Sequence, residues 1–301
     1  MKGKKTRGIW SIFRKFKALD LTDSLETIKE ELTMKTFQEE ELHQSKIFDA
    51  WAERDYLQST IDPNDTKGLK CDYINKWSEY YVKKYIVADQ KINVLDIGCG
   101  SGRNLFMLSP YIKHGYGIDI AEKQIQNAKA WKDKFGKENT SFYTSLDEFL
   151  ADANDPDNID VVFTMWVVAG FSRDENLKLF LSQYLQALPR VKKFVFFEQT
   201  ALETYTVNKE GGFFKKVRTK GDFQQIFSEV GLEIKDFKVI NEKGFGPLYR
   251  LFFFIFGRFY NYYPTWLWFK INRLLFWFDR HFVKREIKTS FTDCVFVCER
   301  Y

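Results

Sequence analysis

The stretch VLDIGCGSGRN at residues 94–104 decides the fold. An apolar run typical of a buried strand ends at Ile97, and glycines follow at positions 98, 100 and 102. A helical pattern then begins at Arg103. Glycines allow a tight turn and a close approach of the backbone to a ligand, and the free N–H groups at a helix start favour an anionic group. The stretch therefore predicts a strand–loop–helix unit that binds a nucleotide-like molecule.

The residues that surround this unit continue the alternation of short apolar strands and helices. The predicted strands are 92–97, 115–120, 141–144, 159–165, 193–198, 232–240 and 291–299. The predicted helices are 103–111, 122–134, 146–150, 173–188 and 219–229. Because the early strands are almost continuously apolar, the pattern predicts an α/β fold with a mostly parallel sheet covered by helices on both faces.

The spacing of the glycines separates two classes of ligand. A nicotinamide-binding loop has glycines at its first, third and sixth positions. Here Gly98, Gly100 and Gly102 take the first, third and fifth positions, and Asp96 lies two residues before the first. This D-x-G-x-G-x-G string resembles motif I of class I S-adenosylmethionine-dependent methyltransferases. The resemblance implies S-adenosylmethionine as cofactor and a Rossmann-like, doubly wound, seven-stranded sheet with an antiparallel last strand, built from residues 91–240 and 289–301.

The resemblance also implies which residues bind the cofactor. Asp119 lies 23 residues after Asp96, where the family places the acid that accepts the ribose hydroxyls, although a helix cap is its structural alternative. Ser145 and Leu146 follow the third strand, where the family contacts adenine. Trp166 either flanks cofactor and substrate or belongs to the core. The predicted cofactor-binding residues are Asp96, Gly98, Cys99, Gly100, Ser101, Gly102, Asp119, Ile120, Ser145, Leu146, Met165 and Trp166.

The chemistry of methyl transfer restricts the kinds of acceptor group that agree with the sequence. Alignment of the acceptor atom with the methyl group supplies much of the acceleration, and a base is needed only where the acceptor must lose a proton, as a hydroxyl does. The Asn/Asp-Pro-Pro-Tyr string of amino-methylating enzymes is missing after the fourth strand, which argues against N-methylation of DNA adenine or of glutamine. Glu198 is the predicted base or hydroxyl-binding group. Arg173 and Arg218 are predicted to bind an anionic substrate, with a helix cap or surface ion pair as the alternative for Arg173.

Three segments lie outside the predicted core. Residues 1–22 form a basic tail whose apolar side chains gather on one side of a helix, as in interfacial membrane helices, and residues 23–90 form a helical extension. Residues 241–288 form an insertion, in which seventeen of the 38 residues from 245 to 282 are aromatic. Since Trp and Tyr favour the headgroup level and Arg reaches towards phosphate, the insertion predicts a monotopic membrane-binding element. A lid or a protein interface is the alternative.

The net charge and the numbers of cysteines and histidines indicate which partners to expect. The net charge of +5 is too small to indicate nucleic-acid binding, and four cysteines and three histidines show no metal-ligand spacing. We therefore predict no metal and a reduced compartment. The expected location is cytoplasmic, peripheral on the inner face of the cell membrane, with the oligomeric state left open.

The predicted function is O-methylation of a membrane-proximal or lipid-linked glycan. The stretch from 194 to 232 resembles bacterial methyltransferases that modify glycan chains, including lipopolysaccharide and O-antigen. Two alternatives remain: a methyltransferase for a hydrophobic small molecule, with the insertion as pocket lid, and a catalytically silent scaffold. The intact loop, with Asp96 and Asp119, argues against the scaffold.

Overall fold

The computed structural model describes residues 32–153, 156–208, 214–242, 246–257, 262, 264–282, 286–287 and 291–301. The predicted basic tail at 1–22 lies outside the described residues. The strands are β1 (Asn93–Ile97), β2 (His114–Ile118), β3 (Thr140–Tyr143), β4 (Val161–Met165), β5 (Lys193–Ala201), β6 (Tyr205–Asn208), β7 (Phe214–Thr219), β8 (Leu232–Glu242) and β9 (Thr292–Arg300). The helices are α1 (32–51), α2 (Leu69–Ile86), α3 (Arg103–Leu108), α4 (Glu122–Phe135), α5 (Leu146–Asp152), α6 (Asp174–Ala187), α7 (Lys220–Glu229), α8 (Pro247–Phe256) and α9 (Thr265–Phe282).

The predicted fold class is confirmed by the order of the strands. The main sheet runs β3-β2-β1-β4-β5-β9-β8, and β1 to β5 are parallel. β9 is antiparallel to both β5 and β8. Parallel strands end at the same edge, so the loops after β1, β2, β3 and β4 meet there. Ligands bind at this carboxyl edge in open α/β sheets.

The helices cover both faces of the sheet because successive strand residues point to opposite sides. On β5, Phe194 and Phe196 belong to the core layer beneath α6 and α7, whereas Val195 and Phe197 belong to the layer beneath α2 and α3. The predicted helix 103–111 stops at Leu108, since a 3-10 turn containing Pro110 follows it. The hairpin β6–β7 was not predicted from the sequence, and it pairs with the last two residues of β5.

Helix α1 lies across the carboxyl edge of the sheet. The Glu40 carboxylate accepts from the N–H of Ser172 at 3.0 Å, and the Gln44 side-chain amide donates to the Gly170 carbonyl at 3.3 Å, so α1 is attached to the loop after β4. Further along α1, the Asp49 carboxylate accepts from the N–H of Lys123 in α4 at 2.9 Å. The helix therefore covers the loops that form the candidate site.

The insertion folds as a helical hairpin, α8–α9, that packs on α2. Its centre is the buried carboxylate of Asp279, which accepts from the Tyr73 hydroxyl at 2.7 Å and from the N–H groups of Leu248 and Tyr249 at 2.7 and 2.9 Å. Asn272 donates to the Leu69 carbonyl at 2.8 Å. One face of the hairpin is thereby attached to the core. Among the described helices, none combines the length and apolar composition needed to cross a membrane.

Candidate cofactor and methyl-transfer site

The glycine loop after β1 accepts no larger residue at its first and last glycines. Gly98 and Gly102 have φ values of 73° and 83°, in the left-handed region that favours glycine. A Cβ at position 98 would lie 2.2 Å from Cγ2 of Val167, and one at position 102 would lie 2.7 Å from the ring of Phe142. The backbone of the loop is therefore held close to the loop after β4 and to β3.

Asp119 is fixed at the end of β2 by the loop that it faces. Its Oδ2 accepts from the N–H of Gly100 at 2.8 Å, and its Oδ1 accepts from the N–H of Ala121 at 2.9 Å. Burial raises the pKa of Asp119 to about 6, while these two hydrogen bonds oppose the shift. A carboxylate oxygen has two lone pairs, so this anchored group retains the capacity to accept hydroxyl donors such as those of a ribose. Ile120, next in the chain, is exposed at the same edge.

Several buried polar atoms beneath the loop have no hydrogen-bond partner within the described residues. They include Oδ1 of Asp96, Nε of Arg103 and Oδ1 of Asn104. The other oxygen of Asp96 accepts from the Asn104 amide at 3.4 Å, and burial raises the pKa of Asp96 well above its usual range. Buried polar groups in native proteins normally have partners. The site therefore fits a ligand that carries both charged and hydroxyl groups, as S-adenosylmethionine does.

The loop after β4 carries a strained residue. Trp166 has a φ of 60°, which is costly for a bulky side chain, and its N–H donates to the Phe197 carbonyl at 2.9 Å. Its ring lies 5.8 Å from the guanidinium of Arg103, which also donates to Sδ of Met165 at 3.2 Å. Strain of this kind gathers at functional sites. Met165 and Trp166, both predicted from the sequence, thus adjoin the glycine loop through Arg103.

Glu198 supports the same loop from β5. Its Oε1 accepts from the N–H groups of Val167 and Val168, both at 2.9 Å, and its Oε2 is buried without a hydrogen-bond partner among the described residues. Burial raises the pKa of Glu198 to about 7, and its two hydrogen bonds and the charges of Arg218 and Lys215 oppose this. The carboxyl group is thus held in place by the loop after β4, and burial favours its protonated form.

The predicted substrate role of Arg218 requires correction. Its side chain is 0% exposed, and its guanidinium donates to the carboxylate of Asp174 at 2.9 Å and to the carbonyls of Val168 and Phe171 at 3.2 and 2.8 Å. These bonds attach the loop after β4 to β7, so Arg218 is a structural residue. Arg173 is exposed and immediately precedes α6, and its role as a substrate-binding residue stays a prediction.

Four other predicted residues have structural contacts of their own. The Ser145 hydroxyl accepts from the N–H of Glu148 at 3.1 Å and caps α5, while Leu146 packs against the core. Cys99 is buried, and its Sγ would lie 2.7 Å from a Cβ at Gly117, so the thiol is a spacer between loop and sheet. Ser101 is buried with its hydroxyl 3.4 Å from that of Ser59. Contact of these residues with the cofactor stays a prediction.

Parts of the site come from the helical extension and were not predicted from the sequence. Glu40 and Gln44 of α1 attach to the loop after β4, and Asn75 of α2 accepts from Arg103 at 2.8 Å. Their partners lie many residues away, so no local pattern marked them. Arg103 itself directly follows the last glycine, and that position was the available signal. Across the described residues, no cluster of His, Cys, Asp and Glu suited to a metal ion is found.

Comparisons with known proteins agree with this geometry. The sequence model of a family described as a methyltransferase domain matches residues 88–238, half of the chain. Among solved structures, an S-adenosylmethionine-dependent methyltransferase from Leishmania major is similar, with 14% identity and a TM-score of 0.52, over 84% of this chain and 81% of that chain. Magnesium protoporphyrin IX methyltransferase from Synechocystis PCC 6803, solved with bound S-adenosylmethionine, has 12% identity and a TM-score of 0.45, over 82% and 85%.

No curated protein matches the chain in sequence. At 14% identity, the Leishmania major structure shows a shared fold only. The family match covers the sheet from β1 into β8, including the glycine loop, Asp119 and Glu198. The chain therefore belongs to this methyltransferase-domain family and is an S-adenosylmethionine-dependent methyltransferase.

Proposed function

We propose that the protein methylates a hydroxyl group of a lipid-linked glycan while it is bound to the surface of an anionic membrane. The observation that carries this proposal is the outward face of the α8–α9 hairpin. The glycan part rests on the resemblance of the 194–232 stretch to glycan-modifying methyltransferases.

The outward face of α9 exposes apolar side chains from Trp266 to Phe282. While Trp268, Asn272 and Asp279 are buried against α2 and α8, other apolar side chains of the hairpin are exposed. Phe254 on α8 is 88% exposed. The exposed apolar residues of the two helices are Leu251, Phe254, Ile255, Phe256, Trp266, Phe269, Leu274, Trp277, Phe278 and Phe282. A contiguous apolar patch of this kind marks an interaction site.

The charges of the hairpin favour an anionic lipid surface over a protein core. Arg250, Lys270 and Arg273 are exposed, whereas Asp279, the sole acid between residues 247 and 282, is buried. Basic residues next to exposed Trp and Phe are typical of helices that lie in the membrane interface. The hairpin would then insert its apolar side chains at the headgroup boundary without crossing the bilayer.

The position of Glu198 supports a hydroxyl acceptor. A hydroxyl loses a proton during methyl transfer, and a base with a pKa near the working pH takes it most efficiently. The pKa of Glu198, raised by burial to about 7, lies in that range. Its Oε2 has no hydrogen-bond partner among the described residues, and the carboxyl group adjoins the loop that contains Trp166. Glu198 is therefore the residue that we assign as proton acceptor.

Sedimentation with lipid vesicles tests the membrane part. Leu274 and Leu202 are the same residue type with 56% and 57% exposure, but Leu202 lies in the turn after β5, away from the hairpin. Leu274→Asp should abolish sedimentation with vesicles that contain phosphatidylglycerol, whereas Leu202→Asp should sediment like the parent chain. Pure phosphatidylcholine vesicles should retain less protein, because the basic side chains lose their anionic partners.

Two results would contradict the proposal. Equal sedimentation of Leu274→Asp and Leu202→Asp would exclude the hairpin as the membrane contact. A loss of self-association in Leu274→Asp, measured by analytical ultracentrifugation, without any vesicle binding by the parent chain would assign the face to a second copy instead. Transfer of a labelled methyl group into a membrane lipid fraction tests the acceptor, and label found only in a soluble small molecule would exclude a lipid-linked one.

A further inference from the structure

A basic margin borders the apolar face of the hairpin. It consists of Lys83 and Lys84, in the last turn of α2, and of Arg280, in the last turn of α9. The Arg280 guanidinium lies 5.5 Å from the centre of the Tyr80 ring on α2, and that ring lies 6.2 Å from the ring of Phe276 on α9. The outer surfaces of α2 and α9 are therefore continuous at this point.

Helical spacing places both lysines of the basic margin on the face of α2 that carries Tyr80. They follow it by three and four residues, and positions with this spacing are neighbours on a helix surface. Nζ of Lys83 lies 5.1 Å from the centre of the Tyr111 ring, and Nζ of Lys84 lies 5.6 Å from that of Tyr85. Both distances are within the range of cation–π contacts. The ammonium groups are thus held next to tyrosine rings at the surface.

The lysines of α2 differ in their pairing along the helix. In its first half, Lys70 and Lys76 form ion pairs with Asp62 and Asp72. In the part of the chain that the structure describes, neither lysine of the basic margin has an ion-pair partner. Their charges are therefore available to an anion outside the chain.

The neighbouring aromatic side chains indicate the kind of anion. Tyr and Trp favour the headgroup level of a membrane, and Lys and Arg reach towards lipid phosphate. Stable membrane attachment generally needs two signals, such as an apolar anchor and a polybasic patch. We propose that the basic margin binds the phosphate groups of anionic phospholipids while the hairpin inserts its apolar side chains. α2 then lies along the membrane surface. This inference rests on the proposed function and adds a second contact to it.

Neutral substitutions at two lysines test the basic margin. The double variant Lys83→Gln, Lys84→Gln should lower the partition onto phosphatidylglycerol vesicles about 20-fold, because two contacts with an anionic surface are lost. Glutamine keeps the helix propensity of lysine. The matched control, Lys178→Gln with Lys220→Gln, removes the same charge from α6 and α7, on the opposite face of the sheet. It should change the partition less than about twofold, because distant charges are screened.

The outcomes separate this inference from the proposed function. Both double variants should bind S-adenosylhomocysteine like the parent chain, which shows that they are folded. Absence of vesicle binding by the parent chain would overturn the proposed function itself. If the parent chain binds and Lys83→Gln, Lys84→Gln sediments like the control, the hairpin is the contact without the basic margin and this inference is wrong.

Two further results would also overturn the inference. An equal loss on pure phosphatidylcholine vesicles would exclude the anionic charge as the cause, because that headgroup has no net charge. A loss of retention on heparin by Lys83→Gln, Lys84→Gln, without a change in sedimentation, would assign the two lysines to a different polyanion.

Discussion

The glycine loop and the α8–α9 hairpin are attached to the same core in different ways. The loop is enclosed by Val167, Phe142 and Thr60, which would all clash with a Cβ on one of its glycines. The hairpin is fixed on one face through Asp279 and Asn272, and its other face has no packing within the described chain. The chain thus packs tightly around the glycine loop and leaves apolar side chains exposed on the hairpin, the face that we propose contacts a membrane.

The largest effect on the free energy of unfolding should come from adding a side chain to the first glycine of the glycine loop. Gly98→Ala combines a positive φ with a clash 2.2 Å from Val167, so we expect a loss of about 2–5 kcal/mol in the free energy of unfolding. Urea denaturation measures this. Gly136→Ala is the matched control, because Gly136 also has a positive φ of 61° but has nothing within 4 Å of the added Cβ. It should cost only about 1–2 kcal/mol, and equal losses would mean that the loop is not tightly enclosed.

A smaller effect should follow when the hairpin loses its attachment. Asp279→Ala removes the acceptor for the Tyr73 hydroxyl and for the N–H groups of Leu248 and Tyr249, which should cost about 2–3 kcal/mol. Limited proteolysis should then cleave the hairpin while S-adenosylhomocysteine binding persists. Tyr73→Phe removes one of the three contacts of Asp279 and also the bond that the N–H of Gly246 donates to the Tyr73 hydroxyl at 3.1 Å, and it should cost about 1–2 kcal/mol. A parallel loss of cofactor binding would show that loop and hairpin are not independent.

A pH-dependent effect on stability should come from Asp119. Its folded pKa of about 6 lies above the ordinary value of 3.8, so the folded chain binds this proton more tightly than the unfolded chain. The contribution to stability is therefore fully present below about pH 4 and is lost as pH rises through about 6. In Asp119→Asn this part of the pH dependence should disappear. Urea denaturation at a series of pH values measures the difference between the two slopes.

Asp119→Asn should also change the affinity for the cofactor. The same substitution should weaken S-adenosylhomocysteine binding about tenfold or more at pH 7.5, because an amide accepts fewer hydrogen bonds than a carboxylate. Unchanged affinity in a folded variant would remove Asp119 from the cofactor site. Together, the two measurements separate the effect of the carboxylate on the free energy of unfolding from its effect on cofactor binding.

Much of the core was predictable because its signals are local. The strand before Gly98, the spacing of the glycines and the acid at Asp119 lie within short stretches, and each has a direct conformational meaning. The resemblance to the methyltransferase family implies a seven-stranded sheet with an antiparallel last strand, and the observed sheet agrees with it. The β6–β7 hairpin was not predicted because β6 (Tyr205–Asn208) and β7 (Phe214–Thr219) are short and contain many polar residues.

Long-range packing decided the roles that local patterns left open. Arg218 looks like any basic residue near a predicted site, but three partners from the segment 168–174 enclose it. On α9 both faces are apolar, so helical periodicity alone did not say which face packs inward. The buried Asp279 and Asn272 mark that face, since polar side chains with partners on α2 and α8 cannot point to lipid without losing them.

The sequence by itself determined the class of fold and the presence of an aromatic insertion, because glycine conformation, strand periodicity and composition act over a few residues. The cofactor followed from the resemblance of the glycine loop to motif I of the methyltransferases. Only the tertiary structure decided that α1 covers the site and that Arg218 is buried and attached to the loop after β4. It also decided that Arg103 is a buried cation beside Met165 and Trp166. Those roles depend on burial and on the pairing of charges between distant segments. Burial sets the free energy of a charge, and it exists only once the chain has folded.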